Sequence, residues 1–240
     1  MENSKQHEEE LKQATAERVK AEETDRLYGS AVHEAAHVIF GLHFDIPIGE
    51  KGVCLRRFVF GTNFGHDLAE YSGFSDSLFS QWAGTSKIKE MNEYQRIVFG
   101  ASGACGPFAE YQWHASAAGI RGDAKVSQER IEEIIRGGAF DFIAPNVGNL
   151  CFLLYFGCSA DDPAFETTDA SVLAYYQSVV ALAREFLETY FTKIVEFADI
   201  LSRADGLRLS CSQVEAWATE HFAKQAFDQQ SATYNVQRGQ

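Results

Sequence analysis

The sequence predicts a mainly α protein with a small β element, and three stretches carry that prediction. Residues 31–44, AVHEAAHVIFGLHF, are apolar almost all the way round a helix, as in a helix buried inside a core. Residues 53–60, VCLRRFVF, concentrate the branched and aromatic side chains that favour a strand. Residues 171–200 place Leu173, Val180, Leu182, Phe186, Leu187 and Phe191 among the apolar positions of a long helix.

Taken in order, residues 1–28 are charge-rich and contain no glycine or proline. They read as an exposed helical extension whose apolar stripe (Leu11, Val19) is too thin for a coiled coil. The expected division is an extension over 1–26, a single domain over 27–226 and a polar tail over 227–240. A helix runs from Tyr28 to about Phe44, and Pro47 and Gly49 end it. The strand over 53–60 meets a turn at Gly61-Thr62-Asn63 and pairs with a short strand nearby. Small residues then crowd FGASGACGPFAEYQWHASAAG, residues 99–119. That stretch reads as an opening turn followed by a helix with Pro107 at its first position, reaching about Ala118. GDAKVSQERIEEIIRGG follows as a helix with Ile131, Ile134 and Ile135 on one face and Gly137-Gly138 as its stop. Residues 139–170, with two prolines and many aromatics, take no clear assignment. The last helix, in RLSCSQVEAWATEHF, has Ser210 or Ser212 to cap it.

Composition narrows the function classes. A chain of 240 residues with 45% hydrophobic and 23% charged residues is globular in character. Its net charge of −13 argues against a protein that tracks nucleic-acid phosphates or an acidic membrane surface. The five cysteines form no CxxC pair and are odd in number, so reduced, buried thiols are expected rather than disulfides or a zinc cluster. MENSKQHEEELKQ lacks a secretory apolar core, and the stretch around Leu150–Cys158 falls well short of the ~20 residues that cross a bilayer. The expectation is a cytoplasmic protein with no membrane insertion.

Within the apolar helix, His33 and His37 stand at i and i+4, roughly 40° apart around the axis and one turn apart. That geometry lets two imidazoles reach one zinc ion. Glu34, one step round, cannot readily join them as a ligand but can serve as base toward a water in the metal's open position. This is the mechanical content of HExxH. Three ionisable groups on a buried helix need partners or a metal, and a pair of hydrogen-bonded core histidines would leave Glu34 unexplained.

A catalytic zinc takes a third protein ligand. His43 lies ten residues after His33, as in HExxHxxGxxH, but Phe40 stands where that pattern has its helix-breaking glycine. Glu110, with His114 one turn on, would be a carboxylate ligand, although an i,i+4 Glu–His pair is more often a surface or supporting contact. Asp123 opens a helix, where its plainer role is an N-cap. Spacing alone does not choose among the three.

HEAAH on an apolar helix, a small-residue stretch ending in Ala109-Glu110, and Gly122-Asp123-Ala-Lys-Val-Ser-Gln opening a helix together resemble the peptidase domain of FtsH-type AAA zinc proteases. The resemblance covers about residues 27–224, and is weak over 45–95 and 137–170. It implies a helical zinc-peptidase domain built around the HExxH helix. His33, His37 and Asp123 would be the zinc ligands and Glu34 the general base. VCLRRFVF would be the strand along which an extended substrate pairs. The chain departs from the family at Ala36, where the family has glycine. It departs again at Gly106-Pro107-Phe108, which stands in place of the family's arginine and precedes a single glutamate rather than two. No GxxxxGK[ST] loop is present, so this chain carries no ATP motor. Because a folded domain resists opening by about 5–15 kcal/mol, the expected substrates are unfolded or flexible polypeptides, unless a separate motor or adaptor protein assists. Self-association is implied by the rings that such domains form. The competing expectations are a catalytically degenerate binding or regulatory module, and a zinc hydrolase acting on a non-peptide substrate.

Overall fold

Three long helices, a shorter C-terminal helix and a β-hairpin enclose the core of this protein, seen in a computed structural model that describes residues 2–63, 66–82, 86–121, 154 and 169–222. Helix α1 (Glu2–His43) runs 42 residues without a break, so the expected boundary between 26 and 27 falls inside it. Its N-terminal half is mostly exposed, yet the stretch around Glu23 and Arg26 lies along the hairpin. There Glu23 accepts from Arg57 at 2.7 Å and from the Tyr71 hydroxyl at 2.9 Å, and Arg26 pairs with Glu70 at 3.2 Å. From Ala31 to Phe40 the helix is core: Val32, Ala35, Ala36, Ile39 and Phe40 are fully buried. It ends in a Schellman-type stop. Asp45 adopts a left-handed φ of 55°, and the Ile46 N–H reaches back to the Gly41 carbonyl at 2.8 Å. Pro47 follows, where the helix could no longer continue.

Strand β1 (Ile48–Asn63) pairs antiparallel with β2 (His66–Ser77), and the three-stranded sheet has the order β2-β1-β3. The strand expected over 53–60 is thus longer at both ends. Gly61-Thr62-Asn63 belongs to the strand rather than to a turn, because a register shift between Val59 and Gly61 lets the ladder continue to the Asn63–His66 pair. Alternation decides which face meets α1: Val53, Leu55 and Ala69 are buried, whereas Arg56, Phe58, Glu70, Ser72 and Phe74 are exposed. The short helices α2 (Leu78–Trp82) and α3 (Lys87–Glu90) lead to α4.

Helix α4 (Glu93–Arg121) corrects the reading of Pro107, which lies inside it and not at its first position. A mid-helix proline removes one N–H and crowds the carbonyl four residues back, here that of Gly103. Burial outweighs that cost. Ala101, Ala104, Cys105, Phe108 and Ala109 are all fully buried, packed between α1 and α5 (Ala170–Arg203). On α5, Val180, Phe186 and Leu187 are buried as the periodicity predicts, joined by Ile194, Phe197 and Leu201. Asp169 caps this helix by accepting from the Ser171 N–H at 2.8 Å. A 3-10 turn (Asp205–Leu207) and the two-residue β3 (Arg208–Leu209) bring the chain back to β1. Helix α6 (Cys211–His221) then starts at Ser210, whose side chain and that of Gln213 form a reciprocal capping box. The protein is therefore mainly helical with a small sheet, as the sequence predicts. The helix expected after Gly122, the stretch 139–168 apart from Leu154, and the tail 227–240 lie outside the described residues.

Candidate metal centre

Because α1 is buried on several sides, its polar side chains must find partners inside the protein, and they find them on different neighbours. His33 and His37 face α4. His33 Nδ1 lies 3.1 Å from Glu110 Oε2, and His37 Nδ1 lies 2.8 Å from the Ser102 carbonyl oxygen. A carbonyl oxygen can only accept, so His37 carries its proton on Nδ1, which leaves Nε2 as the basic nitrogen. A carboxylate on His33 Nδ1 selects the same tautomer. This is the arrangement by which supporting acceptors orient metal-binding histidines and raise their basicity.

The Nε2 atoms converge. A Cβ built on Gly106 would stand 2.5 Å from His37 Nε2 and 2.7 Å from His33 Nε2. Helix α4 can pass this close only because residue 106 has no side chain. The cradle at Gly106 is thus lined by two imidazoles that present Nε2 to it, a donor type that suits zinc. Cys105, fully buried next to Gly106, donates its thiol to the Ser102 carbonyl at 3.0 Å and lies 3.7 Å from His37 Nδ1. It belongs to the support behind the ring rather than to the Nε2 side.

Glu34, 5% exposed, turns the other way, toward β2. Its carboxylate accepts the Ser75 hydroxyl and packs against Gly73, where any side chain would overlap it. Ser30 on the preceding turn fastens α1 to the same strand by donating to the Tyr71 carbonyl at 3.1 Å. The helix therefore offers its imidazoles to α4 and its carboxylate to the hairpin.

The three candidates for a third ligand separate. Glu110, 8% exposed, sits behind the His33 ring on its Nδ1, so it orients that histidine and does not share a metal at Nε2. His43 lies at the far end of α1 among Phe44, Phe186 and Tyr190, with ring centroids 4.6, 6.0 and 4.8 Å away. Burial in that apolar pocket lowers its pKa below the usual histidine value. Asp123 lies outside the described residues. Among the described residues no group of three or more His, Cys, Asp or Glu side chains stands together as a metal site.

Sequence reasoning reached both histidines, Glu34 and Glu110, and missed Ser75, Ser102, Gly73 and Gly106. The one available signal was the run of small residues around 100–106, which marks where two backbones approach closely. No helix among the described residues is long and apolar enough to cross a membrane. Compared with protein-family models, with curated proteins and with solved structures, the chain shows no match.

Proposed function

We propose that this chain is an ATP-independent zinc metallopeptidase that hydrolyses peptide bonds in unfolded or flexible polypeptides. His33 and His37 hold the metal, and Asp123 completes the ligand set. The observation that carries the reading is the pair of imidazoles with Nδ1 committed to Glu110 and Ser102 and Nε2 directed at one glycine-lined spot. Zinc held by these residues would supply Lewis acidity toward a water molecule and the scissile carbonyl. As general base, the Glu34 carboxylate would turn from Ser75 toward the imidazoles, take the proton of the attacking water and return it to the departing amine nitrogen. Ser75, by donating to Glu34, holds that carboxylate against β2 in the structure. An extended substrate has backbone to pair with: beyond Cys54 the backbone of strand β1 has a ladder partner only in β2 among the described residues.

A second reading, a catalytically inert module that serves as a binding or regulatory partner, draws on the enclosure of Glu34 between Gly73 and Ser75. The two readings part in one experiment on the full chain. The peptidase binds about one zinc per chain and cleaves casein-like unfolded substrates, and Glu34→Gln keeps the metal while ending cleavage. A wild-type protein that carries zinc but cleaves nothing in a broad peptide library rejects the peptidase.

A further inference from the structure

Glu110 has two oxygens and stands between two imidazoles. Oε2 takes His33 Nδ1 at 3.1 Å, and Oε1 lies 3.8 Å from His114 Nε2, one helical turn along α4. A buried carboxylate requires compensation, and His114 is built in beside it. The His114 side chain is 12% exposed, and its ring meets Trp113 edge-on with centroids 4.7 Å apart. Its Nε2 is fully buried and makes no hydrogen bond among the described residues. Room for the ring comes from α1: a Cβ on Gly29 would stand 2.8 Å from His114 Nε2 and 3.3 Å from Glu110 Oε1. Gly29 precedes His33 by one turn, so the same helix that presents His33 leaves the hollow in which the carboxylate and the second imidazole meet.

We infer that His114, seated under Gly29, is a positioning residue that keeps Glu110 on His33 Nδ1 and thereby fixes the orientation and tautomer with which His33 meets a metal. The inference rests on the metal reading above but concerns a longer chain of contacts, from His114 through Glu110 to His33. His114 touches neither the metal nor substrate. Its ring closes off the Oε1 side of the carboxylate, so that Oε2 remains on His33. His37, anchored on the Ser102 carbonyl, is independent of it.

The test uses full-length protein stripped with a chelator, long-range proton–nitrogen spectra of its imidazoles at pH 8, and zinc affinity by competition with a chromophoric chelator. Wild-type His33 and His37 both read as Nδ1–H tautomers. His114→Phe removes the polar ring. Gly29→Ala presses on the ring from α1, meeting side-chain atoms of His114 and Glu110 rather than backbone. Both variants scramble the His33 signature, leave that of His37 intact and weaken zinc by about tenfold or more. His114→Gln, which keeps a polar donor beside Glu110 Oε1, retains the His33 signature. An unchanged His33 tautomer, or unchanged zinc affinity, in His114→Phe and Gly29→Ala overturns the inference, as does a wild-type His33 protonated on Nε2. If the wild type takes up no zinc at all, the peptidase reading falls while the tautomer spectra still decide whether His114 holds Glu110.

Discussion

Gly106→Ala sets two physical effects of opposite sign against each other. In an ordinary helix interior, alanine in place of glycine is more stable by about 1 kcal/mol, because the glycine backbone loses more entropy on folding. Here the new methyl would stand 2.5 Å from His37 Nε2 and 2.7 Å from both His33 Nε2 and Cδ2. Non-bonded heavy atoms rest at about 3.5–4.0 Å, so the rings or the helix must yield by roughly 1 Å. Overpacking of this kind costs about 1–3 kcal/mol. The net expectation is a variant that folds with stability between unchanged and about 2 kcal/mol lower. Its two imidazoles are pushed apart, and it binds zinc at least ~10-fold more weakly. Urea unfolding of metal-free protein reads the first quantity, and chelator competition reads the second. A Gly106→Ala protein that gains about 1 kcal/mol and keeps wild-type zinc affinity would refute the convergence of His33 and His37 on this glycine, and with it the metal reading.

Further outcomes can be checked alongside. Glu34→Gln keeps the Ser75 contact through its amide oxygen, so the fold and zinc content stay while hydrolysis of unfolded casein falls by ~10²-fold or more; retained activity removes Glu34 as the base. His43 has its pKa lowered by burial, so it is neutral in the folded state while the unfolded chain takes up a proton below about 6.5. Stability attributable to it is therefore present above pH ~6.5 and lost as pH falls from there toward its lowered folded-state value. Urea midpoints at pH 7.5 and 5.5 should differ less in His43→Phe than in wild type, and an equal difference rejects this role. Ser210→Ala removes one half of the capping box of α6 and should cost about 1 kcal/mol, within a range of roughly 0.5–2, by urea unfolding. A change below a few tenths of a kcal/mol would show that β3 and the Phe197–Trp217 contact, not the cap, set the start of that helix.

What the sequence by itself determined is whatever is local in origin. The buried face of α1, the periodic apolar positions of α5, a serine cap at Ser210 or Ser212 and the i,i+4 placement of His33 and His37 depend on helical spacing and on backbone groups a few residues away. The extent of elements was less legible. Pro107 argued for a helix start, but burial of Ala101, Ala104, Cys105 and Phe108 between two neighbouring helices holds α4 continuous through it. Gly61 argued for a turn, but a shift in pairing with β2 carries the strand past it. The surroundings of the site were decided only in three dimensions. Glu110 lies 77 positions from His33, Ser102 lies 65 from His37 and Ser75 lies 41 from Glu34. Each partner answers the same need, a polar group on a buried helix that water cannot reach. Nothing in the spacing says which distant carbonyl, hydroxyl or carboxylate will answer it. That choice belongs to the packing of α1 against α4 and the hairpin, where glycines 73 and 106 let backbone come close enough to line the site.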